Sequence, residues 1–219
     1  PDRVALYGYA HVPCMAKRQQ MIPSDMLPTP QERLDLFETA RRLFVWDGYA
    51  EIGIDHFAVP GDGLAIAQKT GKLRRNFQGY TDDTSEVLIG LGASSISRFP
   101  QGYAQNAPST SAYTGAIREG RFATSRGHTF NGEDKLRGRL IEALMCDFRI
   151  DANEIVSGYG VSREWLFRTF RDTAAAFDNL LEVTEDGLYL PEKTRPLTRM
   201  VARTFDAYDL SRAGHSSAI

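Results

Sequence analysis

Two short apolar runs, Val4–Ala10 (VALYGYA) and Tyr49–Ala58 (YAEIGIDHFA), flank the clearest helix start in the chain, and this alternation commits the sequence to an α/β fold. Thr29-Pro30-Gln31-Glu32 offers a capping hydroxyl, a proline at the first helical position and a Glu three residues after the cap. Such a sequence satisfies the orphaned N–H groups of a helix start reciprocally. Leu34, Phe37, Ala40, Leu43 and Phe44 then recur at helical spacing up to Gly48, a natural stop. The near-continuous apolar character of Val4–Ala10 predicts a strand covered on both faces, as in a parallel sheet. Strand, helix and strand together read as a right-handed βαβ unit. Beyond it, Asp62–Lys69 reads as a short helix ended by Gly71, and Arg74–Thr81 as loop. Val87–Ser97 (VLIGLGASSIS) reads as a buried strand whose glycines admit a close approach, and Ser111–Glu119 as a helix stopped by Gly120.

The pattern changes near Gly127. Asn131, Glu133 and Asp134 open a helix striped by Leu136, Leu140, Ile141 and Leu144. Ser162 caps another, holding Leu166, Phe167, Phe170, Ala174 and Phe177. Leu180–Leu190 reads as a hairpin turning at Asp186-Gly187, and Leu197–Tyr208 as a last helix. Helix, helix, hairpin, helix is a winged-helix-like plan, so residues 1–127 and 128–219 are expected to form separate domains.

A chain of 219 residues buries roughly 70% of the surface its unfolded form exposes, so it needs no disulfide or structural metal. Cys14 and Cys146 are the only cysteines. They are too few for a cysteine-rich metal site, and their scarcity fits a reducing cytosol. No apolar run approaches the roughly 18 residues that span a membrane. The first residues lack the apolar core of a signal peptide. Pro1 stands where an initiator Met is expected, which implies a piece of a longer chain. Residues 131–219 carry 12 basic and 15 acidic side chains. A winged-helix module that grips nucleic acid needs the opposite balance.

Five strings occur in order: YAHVP at Tyr9–Pro13, IGIDHFA at Ile52–Ala58, RNFQGYT at Arg75–Thr81, LIGLGASSIS at Leu88–Ser97 and YAQN at Tyr103–Asn106, with CDFRID at Cys146–Asp151 beyond them. In wording and spacing they resemble the oxygen-independent coproporphyrinogen III oxidases, a radical S-adenosylmethionine family of haem synthesis. Several linked strings are far more specific than one glycine motif. The resemblance implies the closing part of a radical SAM partial (β/α) barrel followed by the winged-helix-like domain. It implies an oxidoreductase that decarboxylates two propionates of coproporphyrinogen III to vinyl groups, giving protoporphyrinogen IX. It also implies two S-adenosylmethionine molecules and a [4Fe–4S] cluster. The family's C-x-x-x-C-x-x-C loop has no counterpart here, so metal ligands are expected to be absent, the N-terminal half to be missing and the fragment to be inactive alone.

Residue by residue, the resemblance places Ala10 against the second S-adenosylmethionine and Ile96 against the first. It places Phe77 and Gln78 facing the active site. A Phe face can stack and a Gln amide can both donate and accept. Arg75 lies within a family string beside Lys72 and Arg74, and a guanidinium pairs bidentately with a propionate. His11, Asp55 and His56 receive no role from the resemblance; a strand-end hydrogen bond is the plain expectation for them. His128 and His215 are expected to be solvated. A cytoplasmic monomer is expected, without membrane or nucleic-acid partner. The competing function within the superfamily is a haem-binding chaperone, against which IGIDHFA and RNFQGYT argue.

Overall fold

The computed structural model describes residues 1–14 and 17–208. His215 lies outside them. The described chain divides into two compact units: residues 1–75, 80–82 and 136 onward form one, and residues 76–79 and 83–135 the other.

The first unit opens with β1 (Arg3–Ala5) and α1 (Pro30–Trp46). Helix α1 starts as its sequence demands: the Thr29 hydroxyl accepts from Glu32 N, and the Glu32 carboxylate accepts from Thr29 N at 2.7 Å. These bonds, the backbone one foremost, hold the Glu32 carboxyl below its ordinary value. Strands β2 (Ala50–Ile52) and β3 (His56–Ala58) follow. The expected βαβ unit of parallel strands is not what forms. Tyr49–Ala58 folds back on itself as a hairpin, because Gly53 adopts φ +54° and turns the chain. β3 sits in the centre, antiparallel to both β1 and β2. The expected strand Val4–Ala10 shrinks to β1, and Tyr7 and Tyr9 beyond it are exposed. Next come α2 (Gly63–Lys69), a helix where the sequence places one but with Asp62 as its cap, and β4 (Arg74–Asn76) with β5 (Gly79–Thr81). The predicted loop Arg74–Thr81 is therefore a two-stranded ladder turning at Phe77-Gln78.

The second unit holds β6 (Ile96–Phe99), β7 (Gly102–Asn106), α3 (Thr110–Arg118) and β8 (Thr124–Thr129). The three strands form one antiparallel sheet with β7 in the middle. The expected buried strand Val87–Ser97 is replaced by an irregular segment, tied by a single bridge from Leu88 to Arg98, before β6 begins at Ile96. Val87, Ile89 and Leu91 are exposed, Leu91 by 82%. The few buried side chains here are small: Ala116, Ala123 and Ser97.

The first unit resumes with α4 (Asp134–Asp147), β9 (Arg149–Asp151), α5 (Ala152–Tyr159), α6 (Arg163–Ala176), β10 (Glu182–Thr184), β11 (Gly187–Tyr189) and α7 (Thr198–Arg203). The Ser162 cap and the 180–190 hairpin form where the sequence places them. Asp151 caps α5, a helix the sequence reading omits, and the last helix is shorter than expected. Leu140, Leu144, Ile150, Ile155, Leu166, Phe170, Leu188 and Val201 make the main core. Ile52, Leu64, Leu73, Tyr80 and Cys146 make a second.

Candidate functional site

The strings that mark the sequence occupy tightly tied backbone. In YAHVP, the Gln19 amide grips the main chain on both sides of His11. Its Nε2 donates to Ala10 O at 3.0 Å, and its Oε1 accepts from Val12 N at 2.6 Å. Ala10 is exposed, so its small side chain is open to a ligand. His11 Nε2 lies 3.1 Å from Ser24 Oγ.

In IGIDHFA, Asp55 is buried and its carboxylate is shared. Oδ1 meets His56 Nδ1 at 2.6 Å and Oδ2 accepts from Arg199 at 2.6 Å. The His56 ring stands edge-on to Tyr80, with centroids 5.0 Å apart. The Tyr80 hydroxyl accepts from Ile54 N and donates to Met145 O at 2.7 Å. Burial pushes its phenol up, despite the bond from Ile54 N. This network joins the hairpin to α4 and α7, so Asp55 and His56 are structural pairs, as the plain expectation had it. Arg75 also belongs here. Its guanidinium lies 5.5 Å from the Tyr80 ring centroid, and among the described residues its buried Nε has no hydrogen-bond partner.

In the second unit, the turn Phe77-Gln78 is pinned by Asn76, whose Oδ1 accepts from Gln78 N at 2.8 Å. Gln78 is exposed and Phe77 is 54% exposed. The Phe77 ring is nevertheless oriented. It meets Tyr103 edge-on at 5.0 Å, and Tyr103 meets Phe130 in the same manner at 4.9 Å. His128, expected to be solvated, has a side chain 39% exposed and also lies 3.1 Å from Asp134 Oδ2, beside the Phe130 ring. Ile96 opens β6 and is half-buried. A Cβ on Gly90 would come within 2.9 Å of the Ile96 backbone, so the close approach foreseen at these glycines is made by the chain itself. Phe77, Gln78 and Ile96 thus share one compact unit, while Ala10 and Arg75 belong to the other.

The first unit also contains a cleft of about 670 Å³ with Phe37, Arg41, Glu51, His56, Phe148 and Arg195 among its lining. Arg41 is held there by Glu51 at 3.3 Å and Glu192 at 3.2 Å. Its charge is therefore matched, and none of the sequence-predicted site residues lines the cleft.

Among the described residues no three His, Cys, Asp or Glu side chains are grouped to hold a metal. Cys14 is exposed and Cys146 is buried in the second core. Burial pushes the Cys146 thiol up to about 12, the reverse of what a thiolate ligand needs. The chain thus does not fit a [4Fe–4S] cluster, which takes several thiolates. Two results are expected. Iodoacetamide at neutral pH should alkylate Cys14 and spare Cys146 until the chain is unfolded. Reconstitution with iron and sulfide should yield no stoichiometric cluster absorbance; its appearance would overturn this account of the cysteines.

Comparison with known proteins agrees with the strings. No family model matches the chain. Over all 219 residues it is 65% identical to the oxygen-independent coproporphyrinogen III oxidase of Paracoccus denitrificans, covering 49% of that protein. Over 211 residues it is 60% identical to that of Cereibacter sphaeroides, 96% of this chain and 47% of that one. The solved structure of coproporphyrinogen III oxidase (HemN) from Escherichia coli, described as a radical SAM enzyme, superimposes with a TM-score of 0.87 at 36% identity over 95% of this chain and 49% of the other. In sequence and fold the chain corresponds to a segment of a radical SAM enzyme. Within that class it matches the C-terminal half of the oxygen-independent coproporphyrinogen III oxidases, spanning about half the length of these relatives.

Proposed function

We propose that the whole protein to which this chain belongs oxidatively decarboxylates coproporphyrinogen III to protoporphyrinogen IX in the cytoplasm, as a monomer, and that this chain supplies its cofactor- and substrate-facing surface. The observation that carries the reading is the second unit. It turns Phe77, Gln78, Ile89 and Leu91 outward and buries almost nothing large. Apolar groups held outward on a hydrogen-bonded frame are contact surface rather than core.

A [4Fe–4S] cluster, which the two cysteines of this chain cannot hold, would with S-adenosylmethionine supply the radical chemistry in the whole protein. This chain's residues bind and orient. Ile96 gives an apolar wall to the first S-adenosylmethionine, and exposed Ala10 leaves room for the second. Phe77 offers a ring held by Tyr103, and Gln78 a polar edge for nucleoside or substrate. Arg75, whose buried Nε has no partner among the described residues, is the candidate to pair with a propionate. The order α4, β9, α5, α6, β10, β11, with β11 between β9 and β10, supports a winged-helix-like C-terminal domain for residues 128–219 after barrel residues 1–127. Its acidic balance fits a cover for substrate, not a grip on nucleic acid.

Gln78→Ala in the full-length protein tests the reading. Gln78 is exposed on a turn, so its stability cost should stay within about 0.5 kcal/mol. Turnover of coproporphyrinogen III should fall by roughly tenfold or more, the rate equivalent of about 1.4 kcal/mol. Near-normal turnover would remove Gln78 from the site.

A further inference from the structure

Two of the sequence strings are stitched together by side-chain amides. The glycine-rich segment before Ile96 has lost the ladder hydrogen bonds a strand would give it, so its carbonyls need other partners. YAQN provides them from the end of β7. Asn106 Nδ2 donates to Gly90 O and to Gly92 O, both at 3.0 Å. Gln105 Nε2 donates to Ser94 O at 2.8 Å. On the donor side, Gly90 N reaches the buried Ser97 hydroxyl at 3.0 Å and Gly92 N the Tyr113 hydroxyl at 3.1 Å. Asn106 N itself donates to Ser95 O at 3.0 Å. The segment is therefore irregular yet fixed at each turn of its path.

The consequence falls on Ile96. Gly90 lies so near the Ile96 backbone that even one methyl group could not fit between them. The height of the Gly90–Gly92 segment thus sets how far Ile96 stands out from β6 and how Ile89 and Leu91, both exposed, are presented beside it. Of the four side-chain bonds to Gly90 and Gly92, one primary amide makes the two that hold their carbonyls, and Ser97 and Tyr113 take the two N–H groups. From this geometry we infer that Asn106 is a positioning residue for S-adenosylmethionine: it touches no ligand but holds the Gly90–Gly92 segment and Ile96 in the shape that receives the nucleoside. The inference rests on the reading that Ile96 contacts S-adenosylmethionine.

Asn106→Asp in the full-length protein is the sharp variant. It keeps size and shape but replaces Nδ2, which donates to both carbonyls, with a carboxylate oxygen facing the same two carbonyl oxygens, so the segment must lift. The measurement is equilibrium dialysis of S-adenosylmethionine, with coproporphyrinogen III affinity, cluster absorbance and melting temperature on the same preparation. Two neutral hydrogen bonds correspond to roughly 10- to 100-fold in an equilibrium constant. The dissociation constant for S-adenosylmethionine should rise by that factor, with cluster absorbance intact and coproporphyrinogen affinity within about twofold, since only the segment is displaced. Asn106→Ser, which keeps one donor, should fall between, and it carries the comparison should the Asp variant not fold. Unchanged S-adenosylmethionine affinity would overturn the inference. So would a loss of both affinities that tracks a lowered melting temperature, the mark of a merely structural amide. Ile96→Ala separates the two readings. If it too leaves affinity unchanged, the assignment of Ile96 has failed. If it weakens binding while Asn106→Asp does not, only the role of Asn106 has failed.

Discussion

Gly53→Ala should destabilise the fold by about 2–5 kcal/mol. Two effects combine. Gly53 adopts φ +54°, where a side chain costs about 1–2 kcal/mol. The new Cβ would also overlap the Tyr80 ring, and overpacking of a core typically costs about 1–3 kcal/mol. Tyr80 cannot swing aside cheaply. Its hydroxyl is tied to Ile54 N and Met145 O, and its ring lies in the second core against α4 residue Cys146. Urea denaturation of the wild-type and variant chains measures the loss. Adding Tyr80→Leu should recover part of the Gly53→Ala cost, because the flexible side chain vacates the space. Equal stability of Gly53→Ala and wild type would show that the hairpin turn is not built on this contact.

That turn also explains where the sequence misleads. Caps are local chemistry, so Thr29 and Ser162 announce their helices and the structure keeps them. Asp151 had the same signature, with Glu154 three residues on, and α5 could have been read from it. Strand pairing is not local. The apolar run VALYGYA states that something covers it, not that the cover is a parallel sheet. Only Arg3–Ala5 pairs, while Tyr7 and Tyr9 face outward. RNFQGYT looked like loop because its turn, Phe77-Gln78, lacks the Asn-Gly or Asp-Gly signature of a tight hairpin. VLIGLGASSIS looked like a buried strand because apolar content usually reports core; its apolar side chains are directed out of the described chain instead.

The candidate site was legible in another way. Phe77, Gln78 and Ile96 came from linked strings, and the structure gathers them in one unit without any of them being buried core. What no string reveals is support. Gln19 beneath Ala10, Tyr103 beneath Phe77 and Asn106 beneath Gly90 act through contacts between distant positions. An amide at the end of a strand near a glycine-rich segment is the faint signal that was available for Asn106.

Ile96→Ala should separate packing from binding. A fully buried Ile cut to Ala costs about 2–5 kcal/mol through lost transfer energy and the cavity left behind. Ile96 is only half-buried and belongs to neither core cluster. Its backbone, not its side chain, makes the close contact with Gly90. Strand β6 stays registered through its ladder to β7, where Ile96 faces Gln105. The stability cost should therefore stay near 1 kcal/mol, about 2–4 °C in melting temperature for a chain of this size. Binding should suffer far more. A wall of three carbons pressed on a nucleoside loses about 0.8 kcal/mol per methylene in contact. The dissociation constant for S-adenosylmethionine in the full-length protein should accordingly rise by roughly 10- to 50-fold. Turnover should fall further still, because a radical precursor displaced by even a fraction of its reach misses the hydrogen it must take. Melting temperature and S-adenosylmethionine affinity measured on one preparation decide the matter. A variant that melts much earlier but binds S-adenosylmethionine normally below its transition would make Ile96 a packing residue and move the first cofactor contact elsewhere in this unit.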